Sequence, residues 1–318
     1  MCNLSEASKS HLVFVTTCIC YPIAVFFVLL RVFSKFMTNR VRMDDWVIVS
    51  SLLLAAMPIA LILKMTFIGF GKHLWNLKEG QLTQNLLYFY IAWSTYIVVM
   101  GMLKCSLVLF YLDIFPTRRV RVMGYLVLGL IIVNTLVIFF LTIFNCWPVN
   151  AFWDRDLKGR CLDINAIAFA NSASSIAHDI ILFIFPMFCI RNLKMESHRK
   201  LAVGLMFAIG TFGCIASIIR LHSLFSFKAT LDPTWDYIPV TIWTEIELAC
   251  GYICVSLPSV RALMNKIFPG SIFASMNRSR HTTDTASPKD PPRNLPPARN
   301  YPKPPTRNRI PSACVSPA

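Results

Sequence analysis

Charge is what this sequence has least of. Of its 318 residues only 15% are Asp, Glu, Lys or Arg, and the 16 acids are outnumbered by 31 bases, while 55% are hydrophobic. That balance excludes an ordinary soluble globular domain, in which about a quarter of residues are charged, and points to a polytopic membrane protein. A cleavable signal peptide is also missing: the first apolar run, 11–33, is long enough to span a membrane and has no small-residue cleavage site behind it. Neither HExxH nor HxxxH occurs, and His73, His178, His198 and His222 fall on different segments. The sequence therefore offers no metal site and no catalytic residues, which argues against an enzyme. Gly69-Phe70-Gly71-Lys72-His73 lacks the third glycine of a nucleotide fingerprint and follows an apolar run rather than a strand, so it reads as a turn. His73 is there either a solvated loop residue or one that touches a ligand from the outer face.

What is present is a series of apolar runs, at 11–33, 45–68, 86–112, 122–145, 164–190, 200–225 and 238–263. Each matches the roughly 20 residues that cross ~30 Å of hydrocarbon at 1.5 Å per residue. The fold class is thus all-α, a seven-transmembrane-helix bundle over 11–268, with a short amino terminus (1–10) and a tail (269–318). The formal charge of +15 does not indicate nucleic acid, because the cations lie between runs and in the tail. Arg31, Lys35, Arg40 and Arg42, then Arg118, Arg119 and Arg121, then Arg191, Lys194, Arg199 and Lys200 mark three cytoplasmic loops. The amino terminus is then outside and the carboxyl terminus cytoplasmic, in a multi-pass protein expected in the plasma membrane, with an internal membrane as the alternative. Asp44-Asp45-Trp46 opens span two with carboxylates suited to a helix N-terminus and an indole suited to the interface.

Seven of the eleven cysteines, among them Cys18, Cys20 and Cys105, sit in apolar runs where thiols pack. Cys146 and Cys161 instead bracket a polar outer loop, and a disulfide there is expected. Closing a loop of about 15 residues stabilises by ~3 kcal/mol in the loop-entropy model. It would hold Trp147, Phe152 and Trp153 over the outer mouth of the bundle.

Charged groups inside the spans are few and costly. Lys104 lies two-thirds of the way along span three, and Asp179 slightly past the middle of span five. Their depths overlap, so an ion pair is one solution; the alternative is that Lys104 snorkels or bonds backbone carbonyls. Span five carries Asn171, Ser172, Ser174, Ser175, His178 and Asp179 within nine positions, a polar face turned into the bundle for interhelical hydrogen bonds or a ligand cavity. Asn171, Ser172, Ser175 and His178, with Trp153 from the loop, are the candidate ligand-facing residues. Span six carries Gly210, Gly213, Ser217 and Arg220, a small-residue packing stripe that ends in a cation. Glu245 and Glu247 reach a similar depth on span seven; two residues apart they point ~200° apart, so only one can pair with Arg220.

From about residue 265 the composition changes: eleven of the nineteen prolines and nine cations lie in the tail, which is expected to be disordered. Arg299, Pro302, Pro305 and Arg307 frame an SH3-type motif; attraction to anionic inner-leaflet lipid is the alternative. Asn3-Leu4-Ser5 is a glycosylation sequon on the outer side. Prolines 22, 58, 186, 239 and 258 fall in or at the ends of spans, where they kink helices or are absorbed by a rigid bundle.

Taken in order, several of these residues carry a resemblance. Asp44-Asp45-Trp46, Gly69-x-Gly71-x-His73, Lys104-x-Ser106 leading to Phe110-Tyr111 and Ile114-Phe115, Cys146-x-Pro148 with Trp153 and Cys161, Asp179 before Pro186, Asp232 with Trp235, Glu247 and Leu257-Pro258 resemble the fungal rhodopsin-domain family over about 12–268. That likeness implies a seven-helix membrane bundle, with members that resemble cell-surface receptors or accompany secondary-metabolite pathways. Only about ten residues precede span one, so the cysteine-rich extracellular module of some receptor-like relatives is not expected. A retinal Schiff base would need a lysine in the middle of the last span, and 237–265 contains none, so neither a photoreceptor nor any cofactor is expected. The expected function is that of an orphan receptor-like protein meeting a G protein or SH3 domain through its loops and tail. Transport is the alternative, although no inverted repeat or pair of broken helices is apparent.

Overall fold

The computed structural model describes residues 8–39, 41–78, 80–114, 117–154, 156–190, 197–226 and 233–267. The sequon at Asn3, Asp232, and the tail with Arg299, Pro302, Pro305 and Arg307 lie outside the described residues. Seven α-helices make up the bundle: α1 (Ser10–Met37), α2 (Met43–Ile68), α3 (Gln81–Ile114), α4 (Arg118–Ile143), α5 (Ile164–Ile190), α6 (Ser197–Ser226) and α7 (Pro233–Ile267). Between α4 and α5 a short hairpin pairs β1 (Cys146–Trp147) with β2 (Arg160–Cys161), Cys146 opposite Cys161. Among the described residues six helices, α1 to α5 and α7, are long and apolar enough to cross a membrane, against the seven spans expected. The remaining helix, α6, has no charged residue between 201 and 219, but the side chains of 201–209 are not among those described. The helices outrun the apolar windows because the windows mark hydrocarbon, and the chain stays helical into the interface. Pro22, Pro58, Pro239 and Pro258 sit within helices without ending them.

Helix α3 is the central post, touching α2, α4 and α7, while α1 against α7, α7 against α6, and α6 against α5 close the ring. Its inward residues Val99, Leu103 and Val108 join Ile48, Ala55, Ile131, Tyr252 and Val255 in one buried core. The opposite pattern holds outside: on α4, Leu126, Val133 and Phe140 repeat every seventh residue at 69%, 62% and 53% exposure. In water such a stripe would be an aggregation hazard; facing acyl chains it is the expected surface.

The close helix approaches are not where the small-residue stripe on α6 placed them. A Cβ added at Gly101 would stand 2.6 Å from Thr135 of α4, and one at Gly251 would stand 2.7 Å from Leu103 of α3. Among the described residues, Cβ atoms at Gly210 and Gly213 meet nothing within 4 Å. The tight crossings therefore join α3 to α4 and to α7. On α6 it is Ser217 and Arg220 that turn inward, both buried.

At one end, here the disulfide end, the turn after α2 ties three elements together. Gly71 N–H donates to Thr234 O of α7 (3.1 Å), and Gly71 O accepts from Lys9 N–H (3.0 Å). Gly71 has φ +98°, and an added Cβ would lie 2.6 Å from the Ser10 nitrogen. Gly71→Ala is expected to destabilise by ~1–3 kcal/mol, combining left-handed backbone strain with a backbone clash. Gly80→Ala is the control: its φ is +79° but nothing lies within 4 Å, so the difference between the two melting temperatures isolates the clash. His73, far from being a solvated loop residue, stacks between Trp75 (4.4 Å) and Trp235 (4.1 Å), with Lys9 Nζ 4.2 Å from the Trp235 centroid.

Candidate functional site

Cys146 and Cys161 form the disulfide that closes the β1–β2 hairpin. Its loop does not hold all three aromatics as anticipated. Phe152 is buried and Trp153 half-buried, both packing on Tyr90 of α3 at 5.1 and 5.6 Å, whereas Trp147 projects outward, 79% exposed. Chain direction explains the split: β pairing turns Cys146 inward and its neighbour outward.

Beneath the disulfide end, between α2, α3, α5, α6 and α7, lies a cavity of about 100 Å³. Its wall is largely apolar and aromatic, with Phe89 against both Tyr237 (5.1 Å) and Trp93 (6.1 Å). Its polar lining is Asn171 and Ser172 from α5, Arg220 from α6, and Thr241, Thr244 and Glu245 from α7. Trp153 does not line it. Ser175 lies one turn deeper on α5 and His178 is buried still deeper, so the polar face of that helix divides between cavity and interior.

Arg220, 2% exposed, is held from one side only. Its Nη1 donates to the Tyr96 hydroxyl and stands 3.3 Å from Glu247 Oε2. That second contact is an ion pair by distance alone, since Oε2 accepts no hydrogen bond. Nε and Nη2 of the same guanidinium are buried without a hydrogen-bond partner. Glu245, two positions from Glu247, points elsewhere: Oε1 accepts from the Thr17 hydroxyl of α1 (2.7 Å) and Oε2 has no partner. Thr17→Val leaves both oxygens of a buried carboxylate without a donor. It is expected to destabilise by ~1–3 kcal/mol in thermal unfolding, with Thr17→Ser close to the native chain.

From Glu247 the polar contacts continue into the bundle. Its Oε1 is reached by the hydroxyls of Ser175 (3.1 Å) and Ser217 (2.8 Å). Ser217 Oγ also lies 3.0 Å from Asp179 Oδ2. One hydroxyl has one proton, so Ser217 can donate to only one of Glu247, Asp179 and the Gly213 carbonyl (3.2 Å) at a time. Lys104 Nζ pairs with Asp179 Oδ1 (2.8 Å) and donates to Ser175 Oγ (2.8 Å) and Ser175 O (2.9 Å). Lys104 is eight residues past Tyr96 on α3, ~12 Å along the helix axis, so the chain Arg220–Glu247–Ser175/Ser217–Asp179–Lys104 runs from the cavity floor toward the bundle centre.

A second charged cluster, at the opposite end, escaped the sequence. Arg31 of α1 is fully buried and spans both acids that open α2, Nε to Asp45 Oδ1 (2.9 Å) and Nη2 to Asp44. Its Nη1 donates to Val255 O of α7, and Cζ lies 5.6 Å from the Phe110 ring of α3. Lys35 adds contacts of 3.6 and 3.3 Å to the same carboxylates, and Ser106 donates to Asp44 O (3.0 Å). Asp45 does accept from Arg42 N–H (3.1 Å), as a helix-start acid should. But Asp44 and Asp45 are 3% and 4% exposed, so they are chiefly a four-helix ion cluster rather than caps at an interface. The signal was available: Arg31 lies inside span one, and Lys35 sits one turn further along the same face.

A retinal does not fit this cavity. No lysine is among the residues lining it, and the single lysine of α7, Lys266, falls in its last turn.

No solved structure matches the chain. It is similar to a SAT4 family membrane protein of Emericella nidulans (32% identical over 216 residues, 67% of this chain and 54% of the relative). It is also similar to fugralins biosynthesis cluster protein 2 of Gibberella zeae (23% identical, 62% and 51%) and to receptor GIN3 of Arthrobotrys oligospora (25% identical, 65% and 52%). The chain spans about half the length of these relatives. The fungal rhodopsin domain matches residues 30–266, about three-quarters of the sequence: the end of α1, all of α2 to α6, and α7 but for its last residue. With that match and its apolar helices, this chain is a multi-pass membrane protein belonging to the fungal rhodopsin domain family.

Proposed function

We propose that the chain is a non-enzymatic, receptor-like signalling protein of the plasma membrane. Its disulfide end faces outward and the ends of α1, α3, α5 and α7 face the cytoplasm. The observation that carries this is the continuous polar chain from the cavity floor at Arg220 to Lys104 in the bundle interior. A ligand that altered Arg220 would change the partner of Glu247 and, through the single proton of Ser217, the balance between Glu247 and Asp179. The orientation is supported by the Lys and Arg loops and by a disulfide suited to the oxidising side. A signalling role agrees with the name of the Arthrobotrys relative, and a setting beside a biosynthetic cluster with that of the Gibberella relative. The test is reconstitution in lipid vesicles with G proteins of the source fungus. Ligand-dependent nucleotide exchange supports the receptor, and its absence with every host G protein refutes it. Transport is favoured by one specific observation, ion pairs stacked at two depths, and would appear as solute flux into the same vesicles without exchange.

A further inference from the structure

We infer that the cavity beneath the disulfide end, about 100 Å³, binds a small zwitterionic amino carboxylate with an aliphatic side chain. This rests on the receptor-like reading of the cavity and names the ligand class it would take. The two charged groups on its wall are each left half-satisfied. Arg220 uses Nη1 on Tyr96 and Glu247 and leaves its Nε–Nη2 edge, the side-on fork that matches a carboxylate, buried without a partner. Glu245 uses Oε1 on Thr17 and leaves Oε2 buried without a donor. Both residues are at least nine-tenths buried and both line the same cavity.

The two unmade contacts, on the Arg220 edge and on Glu245 Oε2, decide between ligand classes. Lys104, Arg220, Asp179 and Glu247 cancel among themselves, and Glu245 adds one further carboxylate. A ligand with only a carboxylate would satisfy the Arg220 fork but bring a second anion beside Glu245. An amine alone would balance Glu245 in charge but leave the Arg220 fork unmade. A molecule bearing both groups completes both half-made sites and carries no net charge into a membrane interior, where an unpaired ion is costly. The Phe89, Trp93 and Tyr237 rings give its side chain an apolar surface.

The test uses the full chain in lipid nanodiscs and three families of probe sized to the cavity: alanine, valine and leucine; their decarboxylated amines; and their deaminated acids. At least one amino acid should bind saturably and raise the melting temperature, with its amine and acid counterparts about tenfold weaker or worse. Glu245→Gln should cost the amino acid about tenfold while improving the matching acid, and Arg220→Lys should weaken amino acid and acid alike. Monodispersity and the Cys146–Cys161 bond report folding; if Arg220→Lys does not fold, Glu245→Gln decides. The inference is overturned if none of the amino acids binds the folded protein, if an acid or amine binds as well as its parent, or if Glu245→Gln changes nothing. Binding without nucleotide exchange would sink the receptor proposal and leave the ligand class standing, whereas exchange driven by a ligand lacking either charge does the reverse.

Discussion

Replacing Arg31 by methionine is expected to destabilise the bundle by ~3–5 kcal/mol, the largest effect of any single substitution considered. The side chain is fully buried and is the one group that touches both Asp44 and Asp45 while reaching Val255 O of α7. Without it two carboxylates remain in the interior, opposed only by Lys35 at 3.3 to 3.6 Å. Arg31→Lys keeps the charge but cannot span two acids and a carbonyl with one compact ammonium, so it should recover only part of the loss. Thermal unfolding in nanodiscs measures both. Adding Asp44→Asn and Asp45→Asn to Arg31→Met should restore much of the stability, because the unpaired charge, rather than the lost arginine, dominates the penalty. An Arg31→Met protein that melts with the native chain would show that the carboxylates find other partners.

The second large effect is expected at Lys104, about 3 kcal/mol for Lys104→Met. The lysine is nearly buried and serves three acceptors, Asp179 Oδ1, Ser175 Oγ and Ser175 O. Asp179 is a little more open, 17% exposed at its side chain, which keeps the penalty below that at Arg31. Combining Lys104→Met with Asp179→Leu should return most of the loss, and the double-mutant cycle gives the coupling directly. If Lys104→Met instead melts normally and only nucleotide exchange or flux fails, the lysine acts in signalling or transport rather than in holding the bundle.

What sequence alone could determine here was whatever depends on local, one-dimensional quantities. A run such as 122–145 must be helical in hydrocarbon because its backbone groups have no other partners, and its length sets the span whatever surrounds it. Cys146 and Cys161 share one loop, and Lys104 and Asp179 could be matched because depth follows from counting along a helix. Rotation about each helix axis does not follow from counting, and it decided everything else. Glu245 and Glu247 are at nearly the same depth, yet α7 turns Glu247 to Arg220 and Glu245 to Thr17 on α1. Gly210 and Gly213 form a better stripe in sequence than Gly101 and Gly251, but the latter meet neighbouring helices and the former meet none of the described residues. Asp44 and Asp45 look like helix-start acids from their position, and only the return of α1 beside α2, with Arg31 facing inward, makes them the centre of a buried cluster. The cavity is likewise a property of five helices at once. Its chemistry, an arginine edge and a carboxylate oxygen each buried without a partner on residues that line the same cavity, arises because packing satisfied only one side of each group.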